Sequence, residues 1–436
     1  MRIVKKIVSL FCLIYITFFF SCKKKEDDNF GPAVTISSPA ENQSYNVFDV
    51  IQVNASVRDE TQITSLSVSL EDANYNVAIP ALSIPVSSPS MTINTQYALD
   101  NIHLESGFYY LLITASDGKN DSHTYQKIYL TAIPKVRKNI YVVTAVNNSQ
   151  THLSYIDSTF TSIVPSINFS GDFIGSSISS YFQMGYMCGN YTGNFTGINL
   201  NDNSLQFNIA ASTSSNPCFT GYYADGKNIY VARYDGFIKG VDYSGNSIFI
   251  ANSKSGFYTQ KLCFNNGYLI AEEKDKTSAT KKIVTHYSTG VAFQECFVTQ
   301  DVVMFCEKDL QNIFVFGNSS GQGVIQLFDR TNNNLWNPYN YTLPPGSILS
   351  AVKIDENTYL IGHSNGTIYK YEYLNSSLTT YLTGYTAIQL KYDDVTNEVC
   401  VAETNRVSTF YYSTATLNKS INSAETVLDI NLLFNR

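Results

Sequence analysis

The stretch ETVLDINLLFN, residues 425–435, has the alternating apolar residues of a β-strand, yet no second strand follows it. Conversely KNIYVVTAVN, residues 138–147, reads as a second strand with no first one before it. A strand left at a sheet edge exposes a row of unpaired N–H and C=O groups. The two segments therefore read as neighbours, completing one sheet from opposite ends of a domain. This places Leu432 beside the strand around Val142.

Between those ends the sequence repeats. CGNYTGNFTGINLNDN (188–203), VARYDGFIKGVDYSGN (231–246) and IGHSNGTIYKYEYLNS (361–376) align on their turns. Each is a strand, a tight turn closing on Gly, and a strand with alternate apolar residues. The glycine supplies the positive φ such a hairpin requires. A second unit, strand–polar turn–strand, recurs in QKLCFNNGYLIAEE (260–273), SAVKIDENTYLIGH (350–363) and IQLKYDDVTNEVCVAE (388–403). Combined, the units start near Gly171, Asn216, Gly256, Val291, Gly346 and Gly384, at intervals averaging about 43 residues. That is the size of a four-stranded propeller blade. Six internal blades and one shared between the chain ends give a seven-bladed β-propeller over 138–436, closed by strand 425–435. Six or eight blades remain open because the 291–346 interval is irregular.

Residues 32–134 have shorter spacing. Val34–Ser38, Val50–Val57, Ile63–Leu70, Thr92–Leu99, Phe108–Ser116 and Thr124–Thr131 alternate with period two, the pattern of half-buried strands. Asp117-Gly118 before Lys119-Asn120 marks a hairpin turn. Six or seven short strands here make a β-sandwich, and the fold class is all-β throughout. The segments TISSPAENQSYNVFDVIQVNASVRD and GFYYLLITASDGKNDSHTYQKIYLTA resemble bacterial Ig-like and PKD-like modules, which implies a spacer role. This region has no Cys, so the inter-sheet disulfide of antibody domains is absent.

The N-terminus reads MRIVKK, then the apolar run Ile7–Phe20, then Ser21-Cys22. A positive start, a short apolar core and a small residue form an export signal over 1–21. The core is too short to span a bilayer as a helix. Phe19-Phe20-Ser21-Cys22 resembles the lipobox of Bacteroidetes lipoproteins, which implies acylation of Cys22 and membrane association through that lipid. The tract 22–31, with KKKEDDN, fits a flexible tether and resembles the surface-export signal of that phylum. A plain solvated spacer is the alternative. The expected location is the outer membrane, on its periplasmic or cell-surface face, with the surface slightly favoured.

Formal charge is −7, and loss of Arg2, Lys5 and Lys6 with the signal takes the mature chain three charges lower, to −10. Without a basic patch, an acidic chain argues against nucleic acid, whose phosphates need clustered Lys and Arg. Of eight Cys, the six after residue 180 (Cys188, Cys218, Cys263, Cys296, Cys306, Cys400) lie mostly in apolar strand patterns. Buried free thiols are the preferred reading, with disulfides open. No Cys/His spacing suits zinc, no DxDxDG loop suits calcium, and no cofactor motif is present.

The repeat resembles bacterial propellers in general. The single Trp, Trp336, removes WD40 ends, sialidase Asp-boxes and the Trp-docking motif of quinoprotein propellers. NGTIYKYEY is loosely similar to YVTN-type surface repeats. HExxH, GxSxG and GxxxxGK[ST] are absent, and the five His stand singly. Glu272-Glu273 and Asp393-Asp394 read as solvated charges in or beside turns, pointing to opposite faces if on a strand. Asp157-Ser158-Thr159 resembles the short O-glycosylation motif of Bacteroidetes.

Loops on one rim of a rigid scaffold carry function. The turn positions there include Tyr191, Arg233, Tyr234, His363, Asn365 and Arg406, whose aromatic and Arg side chains suit sugar rings or peptides. Abundant Tyr and Asn landing on turns by composition is the competing account. The expected function is a cell-envelope binding module whose rim recognises a glycan, peptide or protein. The alternatives are a propeller enzyme acting on a polysaccharide, as lyase or hydrolase, and a structural subunit of an outer-membrane assembly.

Overall fold

The computed structural model describes residues 30–147, 149–212, 216–338 and 343–436. The export signal, Cys22 and most of the tether lie outside the described residues. Every regular element described is a β-strand. The chain divides into two compact units after Pro134.

In the first unit, Val50–Arg58 lies between Ala33–Ser38 and Ser90–Ala98 in a three-stranded sheet. A five-stranded sheet runs Gln43–Asn46, Asp121–Thr131, Gly107–Ser116, Ser65–Glu71, Val77–Ser83. Its first pair is parallel and the others antiparallel. Alternation decides the core. Ile51, Val53 and Val57 from one sheet meet Leu66, Val68, Leu111 and Ile113 from the other, while intervening residues stay outside. The Asp117 carboxylate accepts the N–H of Asn120 at 2.7 Å, and Gly118 takes a φ of 94°, so this turn forms a hairpin. The short strand Gln43–Asn46 and the strand Val77–Ser83 had no clear alternation to announce them.

The second unit contains seven four-stranded sheets among the described residues, in a propeller-like arrangement. Six take consecutive strands. The first sheet runs Gly175–Ser179, Met184–Cys188, Phe195–Asn199 and Leu205–Ile209. The second to sixth begin with Phe219–Ala224, Phe257–Asn265, Asp301–Glu307, Ile348–Lys353 and Gln389–Asp393. In the closing sheet, Thr426–Phe434 lies beside Arg137–Asn147, followed by Gln150–Ile156 and Ile163–Ser170. Leu432 pairs with Ile140 and Ile430 with Val142. The leading strands touch in cyclic order, and Thr426–Phe434 touches both Gly175–Ser179 and Gln389–Asp393.

One repeat start is corrected. Val291 was expected to open a unit, but Ala292–Val298 is the outermost strand of the third sheet, and the fourth begins at Asp301. Gly290, with a φ of 85°, closes the turn before an outer strand, whereas the next connection contains only Thr299 and Gln300. No Gly or Pro marks that second boundary, so the stronger signal fell one strand early.

Aliphatic side chains join the sixth and closing sheets, whereas aromatic ones dominate between the fourth and fifth. Phe314 and Phe316 of the fourth sheet pack with Tyr359 and Tyr371 of the fifth. The Phe314 and Tyr359 rings meet edge-on at 4.7 Å, a geometry worth roughly 0.5–1.5 kcal/mol beyond area burial. Five of the six thiols are buried and all six are free. Burial pushes Cys306 and Cys400 up to about 12, the ionisation of inert core thiols.

A candidate binding rim on the propeller-like unit

The turn joining the second and third strands of each sheet is short and polar. Around Tyr191, Asp172 organises the chain. Its carboxylate accepts the backbone N–H groups of Asn190, Tyr191, Thr192 and Gly193 at 2.8–3.0 Å. Burial would raise this carboxyl, but the four amides outweigh it and hold it below the ordinary Asp range. Tyr191 is left exposed. In the next such turn Arg233 is tied to Asp235 at 2.5 Å, and its guanidinium lies over the Phe237 ring.

Tyr234, in the same turn, stands with its ring 5.1 Å from that of Tyr258, near the start of the third sheet's leading strand. The Lys276 ammonium approaches the Tyr234 ring at 5.1 Å. Tyr258 pairs across its sheet with Lys274, and Lys261 with Glu272. Lys274 and Lys281 share Asp301 at 2.7 and 2.8 Å. Glu272 accepts the Val302 N–H at 3.0 Å and lies 3.9 Å from Lys274 Nζ. Burial pushes the Tyr258 phenol up, with Tyr234, Glu272 and Tyr191 adding to the effect and Lys274 opposing it. Burial likewise raises Glu272 and lowers Lys261, although each charge partly steadies the other. The group thus offers phenol rings and hydroxyls beside a partly compensated set of charges.

Tyr234 therefore has a ring partner, Tyr258, which was not singled out in the sequence. Among the described residues, the remaining candidates make their contacts elsewhere. His363 is fully buried as the last residue of Thr358–His363, a strand covered along its whole length, and does not present its ring to solvent. The exposed Asn365 donates to the Tyr369 hydroxyl at 2.8 Å. Arg406 is held by Glu403 through its Nε at 2.6 Å and lies over the Tyr385 ring at 4.8 Å.

The acidic pairs require correction too. Glu272 and Glu273 are fully buried within Tyr268–Asp275 rather than solvated in a turn. They do point to opposite faces. Glu273 lies on the side of Lys282 and His286, at 3.8 and 3.7 Å. Asp393 is buried and paired with Arg137 at 2.7 Å, whereas Asp394 is exposed. Buried carboxylates on a strand leave the alternation they interrupt as their only sequence signal. Among the described residues, no three His, Cys, Asp or Glu side chains form a group able to hold a metal ion.

The first unit also displays aromatics. Tyr75 stacks on Tyr110 at 5.2 Å, and Phe108 meets Tyr129 edge-on, with Tyr75, Phe108, Tyr125 and Tyr129 exposed.

No family model matches the sequence, and no curated protein matches it. Solved structures do. A quinoprotein alcohol dehydrogenase-like protein of Bacteroides thetaiotaomicron is 13% identical, with a TM-score of 0.48 over 93% of this chain and 99% of that one. The computationally designed Ika8 protein is 12% identical, with a TM-score of 0.45 over 66% of this chain and 89% of its own. A protein of unknown function from Bacteroides caccae is 10% identical, with a TM-score of 0.42 over 57% of this chain and 98% of its own.

Proposed function

We propose that this chain is a lipid-anchored binding protein of the bacterial cell envelope. An Ig-like or PKD-like module serves as the stalk and a seven-bladed β-propeller as the recognition head. The seven four-stranded sheets and the cyclic contacts of their leading strands support the blade count. The observation that carries the binding reading is the meeting of Tyr234 and Tyr258 from adjacent sheets, with Lys276 and the exposed Tyr191 nearby. Rings and hydroxyls on a rigid frame recognise sugars or peptides at low ordering cost. Arg233, Asn365 and Arg406 extend the rim, and the lipid on Cys22 supplies the attachment to the outer membrane.

The test is retention of the full-length protein on glycan and peptide arrays, with Tyr258→Ala and Tyr234→Ala in parallel. One ligand class is expected to bind and to weaken by about tenfold in either variant, the loss of one stacking contact. Melting temperatures should stay near the parent value, since both rings lie at the rim. Equal retention of both variants would remove the rim from the mechanism. Incorporation of a labelled fatty acid, abolished in Cys22→Ser, tests the anchor separately.

A further inference from the structure

A second cleft lies between the outermost strand of the closing sheet, Ile163–Ser170, and the outer two strands of the first sheet, Phe195–Asn199 and Leu205–Ile209. Its volume is about 350 Å³, within the range of small-ligand sites. The lining divides by chemistry. Met187, nearly buried, and the half-buried Phe169 give an apolar floor. Asn194 and Asn208 stand on the first-sheet wall, whereas the Asn168 side chain, beside Phe169 on its strand, points to the opposite face with its partner His152. The Asn194 side-chain carbonyl is spent on the Ala211 N–H at 3.0 Å. The side chain of Asn208 is exposed and makes no hydrogen bond among the described residues. Thr196, the cross-strand partner of Asn208, is nearly buried and its hydroxyl has no hydrogen-bond partner among the described residues.

Charge is what the cleft withholds. Asp172 is the sole charged residue in its lining, and its carboxylate is consumed by four backbone amides. An ionic ligand would lose hydration here with no counter-charge to replace it. The free Asn208 amide both donates and accepts, as a sugar hydroxyl does. An apolar floor beneath polar walls matches a pyranose ring, which has C–H faces and a hydroxyl edge. The frame is also set in advance. A Cβ on Gly189 would sit 2.2 Å from the Gly193 Cα, and one on Gly171 would sit 2.3 Å from the same atom. Backbone packed that closely, and clamped by Asp172, pays little to order on binding.

We propose that this cleft is a binding site for a neutral, hydroxyl-rich ligand of one or two sugar rings. The cleft borders the Tyr191 turn through Asp172, Gly189 and Gly193 but is not lined by Tyr191, Tyr234 or Tyr258, so the two sites are tested apart.

The experiment follows the Met187 methyl resonance of the full-length protein, identified by its loss in Met187→Leu. Maltose, cellobiose, lactose and N,N′-diacetylchitobiose are the neutral probes, and glucuronic acid and glucose 6-phosphate the charged ones. At least one neutral probe should shift Met187 saturably, with binding weakened about fivefold or more in Asn208→Ala and unchanged in Asn168→Ala. Both asparagines are exposed and unbonded, so these variants should fold normally. Tyr258→Ala should leave the titration unchanged, which separates this site from the rim. The proposal is overturned if no neutral probe moves Met187 at about 20 mM, where even binding near −2.5 kcal/mol would register. It is equally overturned if Asn208→Ala binds unchanged, or if the charged probes bind as well as the neutral ones.

Discussion

Val136 and Asn435, 299 positions apart, are joined by a reciprocal pair of hydrogen bonds. The Val136 N–H donates to the Asn435 side chain at 2.8 Å, and the Asn435 N–H donates to the Val136 carbonyl at 3.0 Å. Beside them, Ile430 and Val142 are fully buried partners in the closing sheet. Such a junction closes a very long loop, whose entropy must be offset by the contacts it makes. Ile430→Asp puts an unpaired charge into that sheet and should destabilise the second unit by at least about 3 kcal/mol. Thermal melting followed by limited proteolysis checks this. A melting curve unchanged from the parent would mean that closure contributes little.

Arg137 locks the same junction to the sixth sheet. One guanidinium nitrogen lies 2.7 Å from both Asp393 and Glu398, whose side chains are essentially buried. Removing the cation strands two carboxylates, a greater cost than the pair's net worth when intact. Arg137→Ala should therefore cost about 3 kcal/mol in denaturant unfolding. Adding Asp393→Asn and Glu398→Gln should recover a large part of that loss. No recovery would show that the arginine acts through packing instead.

The sequence carried the strand pairing best where alternation and turn residues agreed. Val50–Arg58 buries every second residue, and turns such as Asp235-Gly236 fall at the expected positions. It carried least where a strand is covered on both faces. Thr358–His363 is buried throughout, so nothing in its pattern separated His363 from a rim residue. Glu272 and Glu273 misled for a related reason. The partners of these carboxylates, the Val302 N–H and Lys282, reach them through pairing that no local window displays. Tyr258 was missed because its relation to Tyr234 crosses from one sheet to the next.

Asp172 makes the Tyr191 turn sensitive to acid. Its folded-state ionisation is held below the ordinary value by backbone amides acting against burial. A depressed carboxyl contributes stability that is complete above the unfolded value near pH 3.9 and lost as pH falls through the lower folded value. Asp172→Asn should lower the melting temperature at pH 7 and flatten its decline below about pH 4. Parallel pH profiles for parent and variant would show the amides to be satisfied some other way.

Glu272 should behave in the opposite sense. Burial raises its ionisation above the ordinary Glu value, and Lys274, the Val302 N–H and Lys261 recover only part of that cost. The folded state then holds a proton more tightly than the unfolded one. The associated stability is present below the unfolded value near pH 4.3 and fades as pH rises through the higher folded value. Glu272→Gln keeps an oxygen to accept the Val302 N–H, which now spans 3.0 Å, but carries no charge to desolvate. The variant should match the parent near pH 4 and melt higher than it at pH 8. Melting curves across that interval decide the matter. If Glu272→Gln is instead less stable at pH 8, the two lysines need the carboxylate charge more than the fold gains by losing it.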